Sequence, residues 1–172
     1  MSKIHVCPLS ALGETLDRSG TRHLISLAGP GKTPPKPEQI TGSYLALEFN
    51  DIPEPRPDLI APSSSDISSL LNFFDNWQQT ETIVIHCWMG ISRSTAAALI
   101  GCARLGGQDD LRSITNQLRE SSPMATPNPM MILLADQEMG LGGELVKAVA
   151  AIGRGAEANE GVPFVLDVKD FQ

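Results

Sequence analysis

The segment 81–107 constrains the fold most strongly, because it predicts a buried strand, a short loop and a buried helix in direct succession. Its first part, ETIVIHC (81–87), is a run of mostly apolar, β-branched residues, which is typical of an inner strand of a parallel sheet. Its last part, RSTAAALIGCARLGG (93–107), is rich in alanine and closed by two glycines, as expected of a helix buried on most sides. The intervening loop therefore joins the carboxyl end of a strand to the amino end of a helix.

Other short patterns complete an α/β architecture. Brief apolar runs predict three more strands, at 3–9, 23–28 and 43–49. Apolar residues at helical spacing predict four more helices, one capped by Ser65 and running to about residue 79, and the others at 109–122, 130–140 and 142–153. No repeat or linker divides the chain. The sequence thus predicts a single α/β domain with a central, mostly parallel twisted sheet flanked by helices.

Composition narrows the function classes. The 172 residues are 41% apolar and 19% charged, with a net charge of −7, which weighs against nucleic acid and anionic membranes as partners. No apolar run is long enough to span a bilayer, and the N-terminus does not resemble a secretory signal. Three cysteines, Cys7, Cys87 and Cys102, are an odd number without metal-ligand spacing. We expect a cytoplasmic protein without membrane insertion, disulfide scaffold or metal site.

The loop after the best strand has the composition of an anion site. The first amides of a helix lack intrahelical partners, and with the helix dipole they attract negative charge. Such a potential favours the thiolate of Cys87, and Arg93 adds a planar fork of donors suited to two phosphate oxygens. Gly90 allows the backbone to curl so that successive amides converge. These features predict a cradle for nucleophilic attack on phosphorus.

The stretch HCWMGISRS (86–94) matches HCxxGxxR followed by Ser or Thr, the signature of the cysteine-based protein tyrosine phosphatases. The chain also resembles their compact dual-specificity branch, in bacterial form. A strand ending in FND lies 36 residues before the cysteine, where that branch carries its acidic catalyst, and ATPNPMM (125–131) resembles its PN segment. The likeness covers roughly residues 20–140. We expect a catalytic domain at 1–153 followed by a tail at 154–172, for which neither the sequence patterns nor the likeness indicates a role.

The resemblance implies a role for each residue of the motif. Cys87 would attack phosphorus and carry a phosphocysteine intermediate, while Arg93 would bind two phosphoryl oxygens. Asp51 would protonate the leaving oxygen and then deprotonate the attacking water. Ser94 would hydrogen-bond the sulfur and ease its departure, and His86 would order the loop and tune the thiol. Substrate contacts would come from the backbone and side chains of the loop and from the PN segment, namely Trp88, Met89, Gly90, Ile91, Ser92 and Asn128.

Two of these assignments have competitors within the sequence. Asp51 directly follows a strand, but Asp58 or Glu54 in the same proline-rich loop could reach the same place. Asn128 would brace the loop or position water, yet an asparagine before a proline could equally cap the following helix.

The predicted function is hydrolysis of phosphomonoesters without metal or cofactor, on phosphorylated proteins or small phosphomonoesters. Residues 88–92 include a tryptophan and no lysine or arginine, which favours a phosphotyrosine ring over a polyanionic inositol headgroup. A shallow pocket would also admit phosphoserine and phosphothreonine. One alternative is a pseudophosphatase, a binding module for phosphorylated partners. Another is an arsenate reductase or sulfurtransferase, in which Cys7 or Cys102 would have to act as the resolving thiol for arsenate. The sequence does not indicate an oligomeric state.

Overall fold

The computed structural model describes residues 2–77, 79, 81–107 and 110–168. Its strands are β1 (Ser2–Pro8), β2 (His23–Ala28), β3 (Tyr44–Glu48), β4 (Ile83–Cys87) and β5 (Phe164–Val168). Its α-helices are α1 (Leu12–Ser19), α2 (Ser64–Asn76), α3 (Arg93–Gly106), α4 (Leu111–Ser121), α5 (Pro129–Glu138) and α6 (Glu144–Ile152). The predicted helix start at 109 and the tail residues 169–172 lie outside the described residues.

The five strands form one sheet in the order β3-β2-β4-β1-β5. The first four strands of this order are parallel, and β5 runs antiparallel along β1 at the edge. The predicted fold class, a single α/β domain with a mostly parallel central sheet flanked by helices, is confirmed. β4 lies in the middle of the sheet, with β2 and β1 on its two sides, so its carboxyl end is surrounded by structure.

The two faces of the sheet carry cores of different size. In β4, Ile83, Ile85 and Cys87 point into the larger core, which α2–α6 cover, while Val84 points into a smaller core beneath α1. This alternation follows from the two-residue period of a strand and requires apolar side chains on both faces. The sequence of β4, apolar apart from His86, therefore reflects burial on both sides.

Local signals set the helix boundaries. The cap of α2 is Ser63 rather than the predicted Ser65: the Ser63 hydroxyl accepts from the Asp66 amide, and the Asp66 carboxylate accepts from the Ser63 amide at 2.9 Å. This reciprocal capping box satisfies two groups at once, which a cap at Ser65 would not. The helix also ends at Asn76, earlier than the predicted residue 79, because Trp77 is already extended.

The segment after residue 153 contributes to the sheet. Within the predicted tail of unknown role, 164–168 form β5, whose Phe164, Leu166 and Val168 are buried against the larger core. No helix in the described part of the chain combines the length and apolar character needed to cross a membrane.

Candidate active site

The loop between β4 and α3 is held by its carbonyl groups. The carbonyl of Trp88 accepts from the Leu9 amide at 3.3 Å, and that of Met89 accepts from the Gly161 amide at 2.8 Å. Two further carbonyls of the loop are bound from the other side: that of Ile91 by the Thr126 amide at 2.9 Å, and that of Ser92 by the Asn128 amide at 3.2 Å. All four carbonyls therefore point out of the loop.

Outward carbonyls fix the direction of the amides. A trans peptide places each N–H opposite the preceding carbonyl, so the amides of residues 89, 90, 92 and 93 face the inside of the loop. The Gly90 amide shows this directly, because it donates to Cys87 Sγ at 3.3 Å. The arrangement is a concave set of donors at a helix N-terminus, which is the geometry of an anion site.

Gly90 occupies a position that excludes a side chain. Its φ of +67° lies in the left-handed region, and a Cβ atom would stand 2.6 Å from the Pro8 nitrogen and 2.9 Å from the Cys7 carbonyl carbon. The loop can therefore pass over the end of β1 only with glycine here.

Cys87 forms the floor of the loop. Its side chain is 2% exposed, and its Sγ lies 3.0 Å from the Ser94 Oγ in the first turn of α3. Because Ser94 sits on the helix and Cys87 on the strand, their contact links the two elements that frame the loop. The Ser94 hydroxyl and the Gly90 amide are thus both in position to stabilise negative charge on sulfur.

Arg93 lies beside the cradle with spare hydrogen-bonding capacity. Its side chain is 8% exposed, and its Nη1 donates to the Phe49 carbonyl at 3.1 Å, just beyond the end of β3. Its buried Nε has no hydrogen-bond partner among the described residues. A buried, unsatisfied donor on a guanidinium is costly unless a ligand accepts from it, so this atom points to an anion as the missing partner.

Asp51 is fixed through one of its two oxygens. Oδ1 accepts from Ser92 Oγ at 2.7 Å and from Asn128 Nδ2 at 2.8 Å, while no partner for Oδ2 is found in the described part of the chain. Neither Asp58 nor Glu54 makes a hydrogen bond to the loop among the described residues. The structure therefore brings Asp51, and not its two sequence competitors, into contact with the loop.

Asn128 caps a helix and also contacts Asp51. Its Oδ1 accepts from the Met131 amide at 3.0 Å, which caps α5. Its Nδ2 reaches Asp51 and also donates to the Ile52 carbonyl at 3.1 Å. The buried side chain of Asn128 thus joins the start of α5 to the segment after β3. Its backbone amide binds the loop.

His86 is a buried neutral side chain. A ring nitrogen, Nε2, lies 2.7 Å from Ser26 Oγ on β2, whereas Nδ1 has no partner among the described residues. Burial lowers the pKa of His86 to about 4, and the charge on Arg93 acts in the same direction. The contact with Ser26 anchors the residue before Cys87 to the neighbouring strand, in line with an ordering role.

The outer rim of the loop is apolar and accessible. Trp88 is 63% exposed and Met89 is 37% exposed, although the backbone carbonyl of each accepts a hydrogen bond. An exposed indole at the mouth of an anion site offers a flat surface to an aromatic group attached to that anion.

The other two cysteines, Cys7 and Cys102, are buried thiols outside the loop. Burial raises the pKa of Cys7 to about 11 and that of Cys102 to about 12, so both are protonated at neutral pH. Cys7 also packs in the smaller core, on the opposite face of the sheet from Cys87. Within the described residues, no group of three His, Cys, Asp or Glu side chains could hold a metal ion.

Sequence reasoning missed the contribution of the C-terminal segment. A cavity of about 640 Å³ beside the loop is lined by Asp51, Ser92 and Asn128 and also by residues 154–159. Residues 154–159, RGAEAN, match no motif. The hydrogen bonds from the Gly155 amide to Thr126 Oγ1 and from the Gly161 amide to the Met89 carbonyl show how the segment reaches the site.

Comparison with known proteins shows which solved structures share this architecture. No family model and no curated protein sequence matches the chain. Solved structures do. DUSP15 is 20% identical over 90% of this chain and 94% of that chain, with a TM-score of 0.60. Human tyrosine phosphatase-like serine/threonine/tyrosine-interacting protein is 18% identical over 81% and 92%, with a TM-score of 0.62. Human DUSP28 is 16% identical over 82% and 94%, also with a TM-score of 0.62.

The chain therefore has the fold of the cysteine-based protein tyrosine phosphatases, in the compact form of their dual-specificity branch. The resemblance inferred from HCWMGISRS is confirmed at the level of the fold.

Proposed function

We propose that this protein hydrolyses phosphomonoesters, with protein phosphotyrosine as its main substrate, through a phosphocysteine intermediate. The observation that carries the proposal is the pairing of Cys87 Sγ with an inward-facing set of amides and an unsatisfied guanidinium nitrogen on Arg93. The parts bind a phosphoryl group and place a nucleophile beneath it. Because the cradle itself stabilises the phosphoryl charge, the proposed chemistry uses no metal.

In the first step the Cys87 thiolate attacks phosphorus, an S–P bond forms and the ester P–O bond breaks. The leaving oxygen takes a proton from the Asp51 carboxyl. The two donors at Oδ1, Ser92 and Asn128, hold the carboxyl plane and leave Oδ2 to carry that proton.

In the second step water attacks the phosphocysteine. Asp51, now a carboxylate, takes a proton from this water while the S–P bond breaks, and inorganic phosphate is released. The Ser94 hydroxyl, 3.0 Å from the sulfur, donates to the departing thiolate. His86 orders the loop from below without touching substrate.

The exposed Trp88 and Met89 support an aryl phosphate as substrate. An aromatic ring bound through its phosphate would lie against the indole, whereas a short alkyl side chain would gain less contact. We propose phosphorylated cytoplasmic proteins as partners, consistent with the thiol state that the site needs. The bacterial origin stays a prediction of the sequence.

The test compares phosphotyrosyl and phosphoseryl peptides of the same sequence in metal-free buffer, for wild type and Cys87→Ser. The proposal predicts phosphate release from both, a higher kcat/KM for phosphotyrosine, and no release by Cys87→Ser. Equal rates on the two peptides would contradict the tyrosine preference.

A second candidate is a binding module, since one structural neighbour is named as phosphatase-like and interacting. Phosphopeptide binding without phosphate release in wild type would favour it. The arsenate-reducing alternative is weakened by the burial of Cys7 and Cys102, whose raised pKa values leave both as unreactive thiols.

A further inference from the structure

The segment 153–161, here called the C-terminal strap, is fixed to the protein along its length. The Gly153 carbonyl accepts from Arg119 Nη2 at 2.8 Å, and the Gly155 amide donates to Thr126 Oγ1 at 3.1 Å. At its far end, the Gly161 amide donates to the Met89 carbonyl in the loop.

The packing of the strap is close as well as hydrogen-bonded. A Cβ atom at Gly155 would lie 2.5 Å from the Met124 carbonyl group, and one at Gly161 would lie 2.6 Å from the Gly90 carbonyl oxygen. Backbone therefore rests on backbone at both places, which requires glycine and leaves little room for the strap to shift. The backbone of Arg154, between the two anchors at Gly153 and Gly155, is held accordingly.

The side chain of Arg154 contrasts with its fixed backbone. It is exposed and lines the cavity that Asp51, Ser92 and Asn128 also line. No hydrogen bond or ion pair of its guanidinium is found in the described part of the chain, even though Glu157 lines the same cavity. Arg104, by contrast, forms an ion pair with Asp75 at 2.7 Å, although the exposed Arg56 and Arg112 make none among the described residues.

We propose that Arg154 is a specificity-determining residue that binds a second anionic group of the substrate, a carboxylate or a phosphate adjacent to the scissile phosphate. The inference rests on the proposed function. The planar fork of a guanidinium suits either anion. In a chain of net charge −7, a local cation at the site offsets the repulsion that an acidic substrate otherwise meets.

The experiment uses four phosphotyrosyl peptides that differ only beside the phosphotyrosine, where they carry glutamine, glutamate, phosphoserine or lysine. kcat/KM is measured for wild type, Arg154→Gln and Arg154→Lys, with phosphate release assigned to each site by mass spectrometry. The matched control is Arg112→Gln, an exposed arginine on α4 that lines a separate cavity.

Wild type and Arg112→Gln are expected to prefer the acidic peptides to the glutamine peptide. Arg154→Gln should reduce that preference about fivefold, an effect that weakens at high salt, and Arg154→Lys should retain part of it. A larger loss with phosphoserine than with glutamate identifies phosphate as the better ligand. The proposal is overturned if wild type does not prefer the acidic peptides to the glutamine peptide. It is also overturned if Arg154→Gln leaves that preference unchanged.

A second experiment distinguishes failure of the proposed function from failure of the proposed role of Arg154. If wild type releases phosphate from none of the peptides, the same peptides are titrated into Cys87→Ser and Cys87→Ser/Arg154→Gln by calorimetry. A tighter affinity for acidic peptides that Arg154→Gln removes would support the role of Arg154 without turnover, and equal affinities would refute it.

Discussion

At the scale of single residues, the proposed acid role of Asp51 rests on the groups that bind its carboxylate. Two donors converge on its Oδ1 and none of the described residues binds Oδ2, so the free oxygen is the one that can carry a proton to a leaving group. We expect Asp51→Asn to lower kcat by about 10²-fold on an alkyl phosphate, because general acid catalysis contributes about 10²–10⁴-fold. The basic limb of the pH–rate profile should disappear with it.

The matched control is Asp58→Asn in the same loop. Asp58 is exposed and makes no hydrogen bond to the loop of Cys87 in the described part of the chain, so its kcat and pH profile should stay close to wild type. A leaving group that needs no proton, such as p-nitrophenolate, should narrow the difference between Asp51→Asn and wild type. Equal losses in the two variants would remove Asp51 from the proposed acid role.

His86 makes stability depend on pH. Burial lowers its folded pKa to about 4, below the unfolded value of 6.5, so below pH 6.5 the unfolded chain binds a proton that the folded protein does not. This contribution to stability is present above pH 6.5 and is lost as the pH falls to about 4, to a total of about 3 kcal/mol.

Urea unfolding from pH 7 to pH 4.5 checks this, with wild type compared with His86→Gln. The variant has no titrating imidazole at this position, so its free energy of unfolding should fall less steeply with decreasing pH. Parallel curves for the two proteins would show that His86 titrates normally in the folded state.

At the scale of elements, the contact between α2 and α3 depends on a missing side chain. A Cβ atom at Gly101 would lie 2.3 Å from Cζ of the fully buried Phe74. We expect Gly101→Ala to destabilise the protein by about 1–3 kcal/mol through overpacking, in spite of the better helix propensity of alanine.

Gly13 in α1 is the matched control, because a Cβ atom there meets nothing within 4 Å. Gly13→Ala should stabilise the protein by about 0.5 kcal/mol, through helix propensity alone. Chemical denaturation of both variants measures the two effects. A gain of stability in Gly101→Ala would contradict the close packing of the two helices.

The sequence predicted the elements whose signals are local. β4, the loop and α3 carry their pattern within 81–107, and the fold there agrees with the pattern. α1 was missed, because only Leu12 and Leu16 form its apolar side, too few for a recognisable period. The cap of α2 was placed two residues late, since three serines and an aspartate follow one another at 63–66 and each is a good cap.

At the scale of the whole molecule, the C-terminal strand completes the sheet. Leu166 on β5 is fully buried in the larger core, whereas the side chain of Val165 is exposed. We expect Leu166→Ala to cost about 2–4 kcal/mol and Val165→Ala less than about 1 kcal/mol. Thermal unfolding compares them, and equal, small effects would mean that the strand is dispensable.

Long-range contacts explain which parts of the site the sequence left open. Asp51 and Asn128 are 77 positions apart, and no local pattern announces the bond between them. Each has an ordinary explanation alone, as a loop acid or a helix cap. The strap could not be recognised from the sequence for the same reason. Arg154 lies in a polar segment without a motif, and its proximity to Asp51 is seen only in the cavity that both residues line. The sequence alone identified Cys87, Arg93 and Ser94 as candidate site residues, because their spacing is fixed within one motif.

The most direct test of the central claim is the pre-steady-state hydrolysis of p-nitrophenyl phosphate in metal-free buffer, by wild type and Cys87→Ser. We expect a burst of p-nitrophenolate of about one equivalent per site, because a covalent phosphoenzyme accumulates before its slow hydrolysis, and a phosphate on Cys87 that rapid denaturation traps. Cys87→Ser should show neither. Turnover that persists in Cys87→Ser, or wild-type turnover with no trapped phosphocysteine, would contradict the account.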